Sequence, residues 1–526
     1  MTTDDKEIDA KIGREGLTQA DRERGTREFR DALRNDPARP KWHLLPPEGF
    51  WNDINGTIFW KGRYHVFFLG RRSPDREAIV SGKDSINARE VWLHASSRDL
   101  VHWVHHPIAL IPAWDGSMPN GIYSGDMIAD APQPTIIVHI PKQGTCIYTA
   151  DDDMLDNWKW HPANPVITQE KAPKEVTVFD PTGWYDKEEK TYYALIGNKN
   201  RTPGFEGDTS SLFKSTDLAT WEYVGPFYKS ERKWTEEACD CACPDFYPLG
   251  DKKMLLMHSH KPYYMAQYYL GHLDGERFIP ELHGRMTWPG GSLCAPETLL
   301  DDKGRRVFWG WVYEQGPVTP GWGSVATLPR VFDLDVKGRL KITPAPELET
   351  LRMNPRRFDG IALADGGEHV LDVRGDSLEI DIDAEYSAAD LIVTVRRSPD
   401  AQEATAVIIS PAKGTMTVDF SKSRQGQAVK FPRFRKEYND SEKIPESEWY
   451  TSQQAASFKL EQDEPLRLRI FLDRSILEVF ANERQCITQR IYPSRTDSLG
   501  VSLAARGGKV NVRSFTVYEM ERVNSW

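Results

Sequence analysis

The chain is predicted to be all-β, and three observations carry that prediction. From about residue 40 to 345, short apolar-rich strands recur between Gly-, Pro- and Asp-rich turns, with little helical periodicity. Beyond that stretch, period-two segments such as Ser377-Leu-Glu-Ile-Asp-Ile-Asp and Leu468-Arg-Ile-Phe-Leu follow, the pattern of a β-sandwich. Three acidic segments also lie many tens of residues apart. Their carboxylates can meet only where separate strands converge on one centre, as in a propeller or barrel.

In chain order, residues 1–38 are highly charged, and Leu17 through Leu33 carries the pattern of an amphipathic helix, a short N-terminal extension fit to cap a domain edge or a partner subunit. Phe50-Trp51-Asn52-Asp53-Ile54-Asn55-Gly56 is the first acidic segment. It continues to Phe68 as two strands around a Lys61-Gly62 turn, so Asp53 sits at a rigid strand end and is the candidate nucleophile. Taken alone, Asn55-Gly56 is a hairpin turn signal. Val178-Phe179-Asp180-Pro181-Thr182-Gly183-Trp184 is the second segment, with an aspartate before proline where the backbone is held extended; alone it reads equally as an Asp-Pro turn. The third, Cys239-Asp240-Cys241-Ala242-Cys243-Pro244-Asp245, runs toward the strand-like Lys253 to Met257. Strand alternation across Cys241 would put the sulfurs on one side and Asp240 and Ala242 on the other. Prolines cluster from Pro344 to Pro355 and mark a linker over 346–356, which separates residues 39–345 from residues 357–526.

With 526 residues there is material for two domains. The balance of 67 basic against 78 acidic residues, formally −11, excludes nucleic acid as a general partner and suits a neutral substrate. Aromatics make up 11% of the chain and include 17 Trp, whose flat faces suit a sugar as well as a core; Phe50, Trp51, Trp114 and Trp322 are singled out as pocket walls. The six cysteines are expected to be buried and reduced. The Cys-x-Cys-x-Cys cluster lacks the Cys-x-x-Cys spacing and second ligand pair of a zinc site, so no metal is expected. No segment has the length to span a membrane, and none resembles a signal peptide. A cytoplasmic setting is expected, although an exported form with its leader removed would look the same.

Several motifs in order resemble glycoside hydrolase family 32, the invertase, inulinase and levanase family. Phe50 to Gly56 is similar to its Trp-Met-Asn-Asp-Pro-Asn-Gly, with Ile54 in place of the proline. Trp92-Leu-His94-Ala-Ser-Ser97-Arg-Asp99-Leu100-Val-His-Trp103 resembles its Trp-Gly-His-x-x-Ser-x-Asp-Leu-x-x-Trp, and Asn120-Gly121-Ile-Tyr-Ser124-Gly125 its Gly-x-x-Ser-Gly loop. Ala295-Pro296-Glu297-Thr298, Gly304 to Trp311 and Leu328-Pro329-Arg330 fall where it has similar strings. Phe471-Leu-Asp473-Arg-Ser475-Ile-Leu-Glu478-Val-Phe480-Ala-Asn482 resembles the signature of its accessory sandwich, where Asp473, Glu478 and Asn482 are expected to be hairpin and interface residues, with a reach to substrate from a packed neighbour as the alternative for Glu478.

The resemblance implies a five-bladed β-propeller over 39–345, a β-sandwich over 357–526, and retaining cleavage of terminal fructosyl units from sucrose or a fructan. Asp53 would attack the anomeric carbon, a protonated acid would serve the leaving oxygen, and Asp180 would bind ring hydroxyls as charge develops. Asn52, Trp51, Phe50, Ser124, Phe179 and Trp322 would contact the fructoside, with no cofactor. Two departures stand out. Phe179 replaces an arginine, and Ala242 replaces the acid/base glutamate. The donor then passes to Asp240, two residues earlier and also followed by a cysteine, or to Glu237; otherwise the site has been inactivated. Two other readings share the fold: a fructosyltransferase, including one closing the fructosyl unit onto an internal hydroxyl, and a fructan-binding protein without turnover. Pairing of copies through the sandwich or the N-terminal extension is also open.

Overall fold

The computed structural model describes residues 31, 33–47, 49–71, 90–113, 116–199, 207–315, 322–426, 428–434 and 445–524. Residues 1–30, which hold most of the expected helical extension, and Trp114 lie outside them.

Local sequence chemistry sets the hairpins. At the first, Lys61 and Gly62 both take positive φ, 48° and 75°, as a two-residue turn matched to strand twist requires, and Trp60 pairs with Arg63. Repetition of such hairpins builds five sheets in chain order. The first holds Gly49–Trp60, Arg63–Arg71, Glu90–Ser97 and Trp103–His105, and the second Gly125–Met127, Thr135–Ile140, Gly144–Ala150 and Trp158–Trp160. Pro181–Asp186, Thr191–Ile196, Ser210–Ser215 and Glu222–Tyr228 form the third; Ala242–Leu249, Lys252–Ser259, Met265–Asp274 and Arg277–Arg285 the fourth. The fifth contains Leu293–Leu300, Arg306–Val312, Arg330–Leu334 and Leu340–Pro344, with Val325–Ala326 beside its second strand.

The leading strands of these sheets touch one another in a ring, first to second, second to third and so on back to the first, which makes the module a five-bladed β-propeller. A short parallel pairing closes the ring: Trp322 and Gly323, reached after the fifth blade has begun, pair with Gly49 and Phe50 of the first. Apolar residues between blades form separate clusters, for example Trp51, Ile54, Phe68, Trp309 and Ala326 between the last blade and the first.

Two six-stranded antiparallel sheets make the β-sandwich. Their inward residues alternate along each strand, as with Leu378, Ile380 and Ile382 against Val393, Val407 and Leu503, in a single cluster. The expected linker is better ordered than its prolines suggest. Pro346–Leu351 is a 3₁₀ turn that buries Leu348 and Leu351, and Arg352 already opens the edge strand Arg352–Leu363. Pro355 is accommodated there because the strand lies at the sheet edge and its register shifts between Met353 and Arg356.

A shared core including Tyr247, Leu256, Phe308, Leu348, Phe471 and Phe480 joins the two modules, and each fully buried Phe there contributes about 1.5–3 kcal/mol. A polar network crosses the same interface. Arg330 donates to Glu478 at 2.6 Å, the Leu328 amide donates to Glu478 at 2.8 Å, and His43 bridges Glu478 (3.3 Å) and Asp473 (2.9 Å). Glu478 therefore serves the interface, as expected, and does not reach a substrate.

Candidate active site

The inner strands are bent where the chemistry lies. In the first blade, Trp51 pairs with Gly70 and Ile54 with Phe68, so Asn52 and Asp53 together oppose one residue. Cys243 and Pro244 repeat this in the fourth blade, between the Ala242–His258 and Asp245–Leu256 pairs, and the fifth is irregular between Cys294 and Pro296. Such bulges turn a side chain out of strict alternation and toward the axis. Asp180, Cys243 and Ala295, all at positive φ (31°, 42° and 42°), mark the same level of the ring. Two readings change as a result. Asn55-Gly56 lies within a strand, beside a second register shift, rather than in a hairpin turn. Cys243 also leaves the expected alternation, because its bulge aims the thiol inward.

Asp53 and Asp180 meet at that thiol. Cys243 Sγ lies 3.7 Å from Asp53 Oδ2 and 3.7 Å from Asp180 Oδ2, and Ser124, just before the second blade's inner strand, donates to Asp53 Oδ2 at 2.6 Å. Burial, then the charges of Asp180 and Asp53, push the thiol pKa far up, so it is a neutral donor. Burial also raises Asp53, opposed by Ser124, the His260 charge and Cys243. For Asp180 burial is again the main cause; Lys199 opposes it, Asp53 adds to it, and the pKa stands at about 7.

The cation missing at Phe179 is supplied by Lys199. Pro181 pairs with Ile196, so the chain just before Pro181 lies opposite the chain just after Ile196. Lys199 emerges there, with its Nζ 3.5 Å from the Phe179 ring centroid and its charge acting on Asp180. Phe179, only 4% exposed, thus seats the cation.

The same register logic places Asp240 opposite His260, two steps beyond the Ala242–His258 pair. Asp240 accepts from Ser259 Oγ at 2.9 Å and from the His260 amide at 2.7 Å, and lies 3.1 Å from His260 Nδ1. Burial alone would raise its pKa, but the His260 charge and these hydrogen bonds outweigh it and hold the carboxyl below its ordinary range. That corrects the expectation of Asp240 as direct proton donor, since an ionised carboxylate has no proton to give. Glu237 is corrected too: its side chain is 85% exposed and pairs with Arg232 at 3.1 Å on the surface.

Other expected contacts divide. Asn52 is partly exposed and donates to Glu90 at 3.4 Å, and Phe50 lies partly exposed against Gly323. Trp51 is fully buried, its ring tilted against that of Phe68 and its Nε1 donating to the Ser324 carbonyl (3.1 Å), so it is core and not pocket wall. Trp322 is core as well, donating to Asp36 at 2.7 Å between Arg39 and Arg490. Both rings are consumed by closing the propeller.

Beneath Asp53, the sequence reading missed a second acidic group. Asp126, Asp245 and Glu297, from three blades, hold ligand oxygens within 4.8 Å of one another, the spacing at which a cation or a shared proton is held. Thr182 donates to Asp126 and Thr298 to Asp245, each at 2.6 Å. Burial, then Asp126 and Asp245, raises Glu297 far above the carboxylate range, so a proton is retained among the three. His94, His106 and Asp156 form another group of metal-ligand type at the first two blades. All six cysteines are free and buried, as expected.

Comparison with known proteins agrees with this architecture. The family model described as the glycosyl hydrolases family 32 N-terminal domain matches residues 43–344, and that described as its C terminal matches residues 347–519. A sucrose-6-phosphate hydrolase of Zymomonas mobilis is 28% identical, covering 92% of this chain and 93% of its own. A levanase of Bacillus subtilis is 27% identical over 92% of this chain and 71% of its own. Among solved structures, fructan 1-exohydrolase IIa from Cichorium intybus superposes with a TM-score of 0.76 at 21% identity, covering 93% of this chain and 98% of that one. The chain belongs to glycosyl hydrolases family 32.

Proposed function

We propose that this chain is a retaining β-fructofuranosidase acting on a small fructoside, sucrose or a fructan end. One observation carries the reading: two aspartates from different blades, Asp53 and Asp180, converge on one thiol at the propeller axis, with compensating positive charge beside them. Asp53 is the partly exposed carboxylate, and its carboxylate attacks the anomeric carbon. Ser124 fixes the orientation of that group. Asp180 accepts from ring hydroxyls, and its hydrogen bonds strengthen as the oxocarbenium charge develops. Lys199 keeps Asp180 available as an anion by opposing the rise that burial causes. The relatives named as a sucrose-6-phosphate hydrolase and a levanase support the substrate class.

Fructose release from sucrose, sucrose 6-phosphate, inulin and levan tests the reading. Asp53→Asn is expected to lower kcat by about 10⁴-fold or more, because the nucleophile acts as part of one unit. Asp180→Asn is expected to lower it by about 10²–10³-fold, the scale of a lost charge-stabilising contact. A parent chain that binds fructan saturably without releasing fructose rejects hydrolysis in favour of a binding protein.

A further inference from the structure

We propose that His260, oriented by Asp240, is the general acid and base of this site, in the place of the carboxylic acid that Ala242 cannot supply; the proposal rests on the fructosidase reading above. Four observations carry it. His260 follows the second strand of the fourth blade and stands opposite Asp240 by hairpin register, on the same blade whose inner strand holds Ala242. Asp240 is ionised and lies 3.1 Å from Nδ1, so Nδ1 keeps its hydrogen on Asp240 and proton exchange falls to Nε2. The imidazole side chain is 17% exposed while that of Asp240 is 2% exposed, so a bound sugar reaches the ring and not the carboxylate. The ring also sits 6.1 Å from that of Phe179, and its charge acts on both Asp53 and Asp180. Glu297 retains a proton too, but it is 1% exposed and lies against Asp126, beneath the nucleophile.

In the first step, the Asp53 carboxylate forms its bond to the anomeric carbon as the bond to the leaving oxygen breaks. His260 Nε2 passes its proton to that oxygen, and the alcohol departs. In the second, neutral Nε2 takes a proton from water as the water oxygen attacks the anomeric carbon. The bond to Asp53 breaks, and both groups return to their starting states. The groups facing the imidazole are Asp240, Asp180, Asp53, Lys199, His258 and Tyr264. Burial lowers its pKa and Lys199 opposes protonation, but Asp240 and then Asp180 outweigh them, and the result lies above 6.5. The carboxylates around the ring thus favour its protonated, proton-donating form.

The test compares sucrose with p-nitrophenyl β-fructofuranoside, whose phenolate departs without a proton, using kcat/KM, which reports formation of the fructosyl-enzyme. His260→Gln is expected to lose about 10²–10⁴-fold on sucrose, the range of general acid catalysis. On the aryl fructoside the loss should be at least 100-fold smaller, and the alkaline limb of the pH profile should vanish. Asp240→Asn is expected to keep that limb and shift it to lower pH, as a positioning residue would. Equal losses on the two substrates, or sucrose cleavage by His260→Gln within a few-fold of the parent, would overturn the assignment while leaving Asp53 in its role. A parent chain inactive on these two and also on sucrose 6-phosphate, inulin and levan overturns the fructosidase reading and the donor with it. Matching thermal unfolding curves for parent and variants establish that each comparison is made on folded protein.

Discussion

At the scale of single residues, the centre is assembled from two kinds of position, Asp53 within an inner strand and Asp180 at the start of one, with Lys199 and His260 beside them. Asp53 and Asp180 stand in segments whose neighbours announce them, an Asn-Asp before Asn-Gly and an Asp before Pro. Lys199 and His260 have no such neighbours, since each reaches the centre from the strand next door, through a register visible only once the hairpin is paired. Counting outward from the Leu249–Lys252 pair puts Asp240 opposite Lys261, and only the intervening bulge brings His260 there instead. Lys199 also explains how Phe179 is tolerated: the cation is kept while its residue of origin changes. Lys199→Met removes a charge that lowers the Asp180 pKa, so that pKa is expected to rise further above about 7. The acid limb of kcat/KM should move to higher pH by about 1–3 units, the scale of one close opposite charge. A pH-rate profile unchanged from the parent would show that Lys199 does not tune Asp180.

At the scale of strands, alternation and turns revealed the all-β class, because a half-buried strand must alternate and a hairpin must turn through residues such as Lys61-Gly62. What the pattern misjudged were sites where one residue type serves two geometries. Asn-Gly suits any place where the backbone needs positive φ, and Gly56, at φ 52°, uses it beside a bulge. Proline suits an edge strand as well as a linker, hence the overlap of the expected linker, 346–356, with the strand that begins at Arg352. Contact between blades depends on a different glycine. A Cβ at Gly197 would lie 2.2 Å from the Cys241 carbonyl oxygen, where the neighbouring Asn198 exchanges backbone hydrogen bonds with Cys241. Gly197→Ala must therefore part the third blade from the fourth. The expected cost is about 1–3 kcal/mol in urea unfolding, as for overpacking, with a loss of activity because Lys199 and His260 flank that seam. Full stability in this variant would mean that the blades do not meet so closely.

At the scale of the whole molecule, the sandwich is fastened to the propeller by buried charge. Arg330, Glu478, His43 and Asp473 have essentially no solvent, so removing one leaves the others uncompensated. Glu478→Gln is expected to cost about 3–5 kcal/mol in equilibrium unfolding. Burial alone would raise Glu478, yet Arg330 and then His43 hold it below 4.5, so its stabilisation is present above pH 4.5 and is lost as pH falls through its folded value. His43 is opposite in sign. Burial lowers it, but Asp473 and Glu478 raise it above 6.5, so its contribution is complete below pH 6.5 and is lost as pH rises through its folded value. Thermal midpoints should peak between about pH 4.5 and 6.5, and Glu478→Gln should flatten the acid side. The parallel clasp between Gly49-Phe50 and Trp322-Gly323 bears on how the protein comes into being. A ribosome makes Asp53 early and the segment that closes the ring around it some 270 residues later, roughly tens of seconds at common elongation rates. Throughout that interval the first blade waits with an open flank, and a chain released before residue 323 lacks the clasp that closes the ring around Asp53. Activity is thus a certificate of completed translation through the fifth blade.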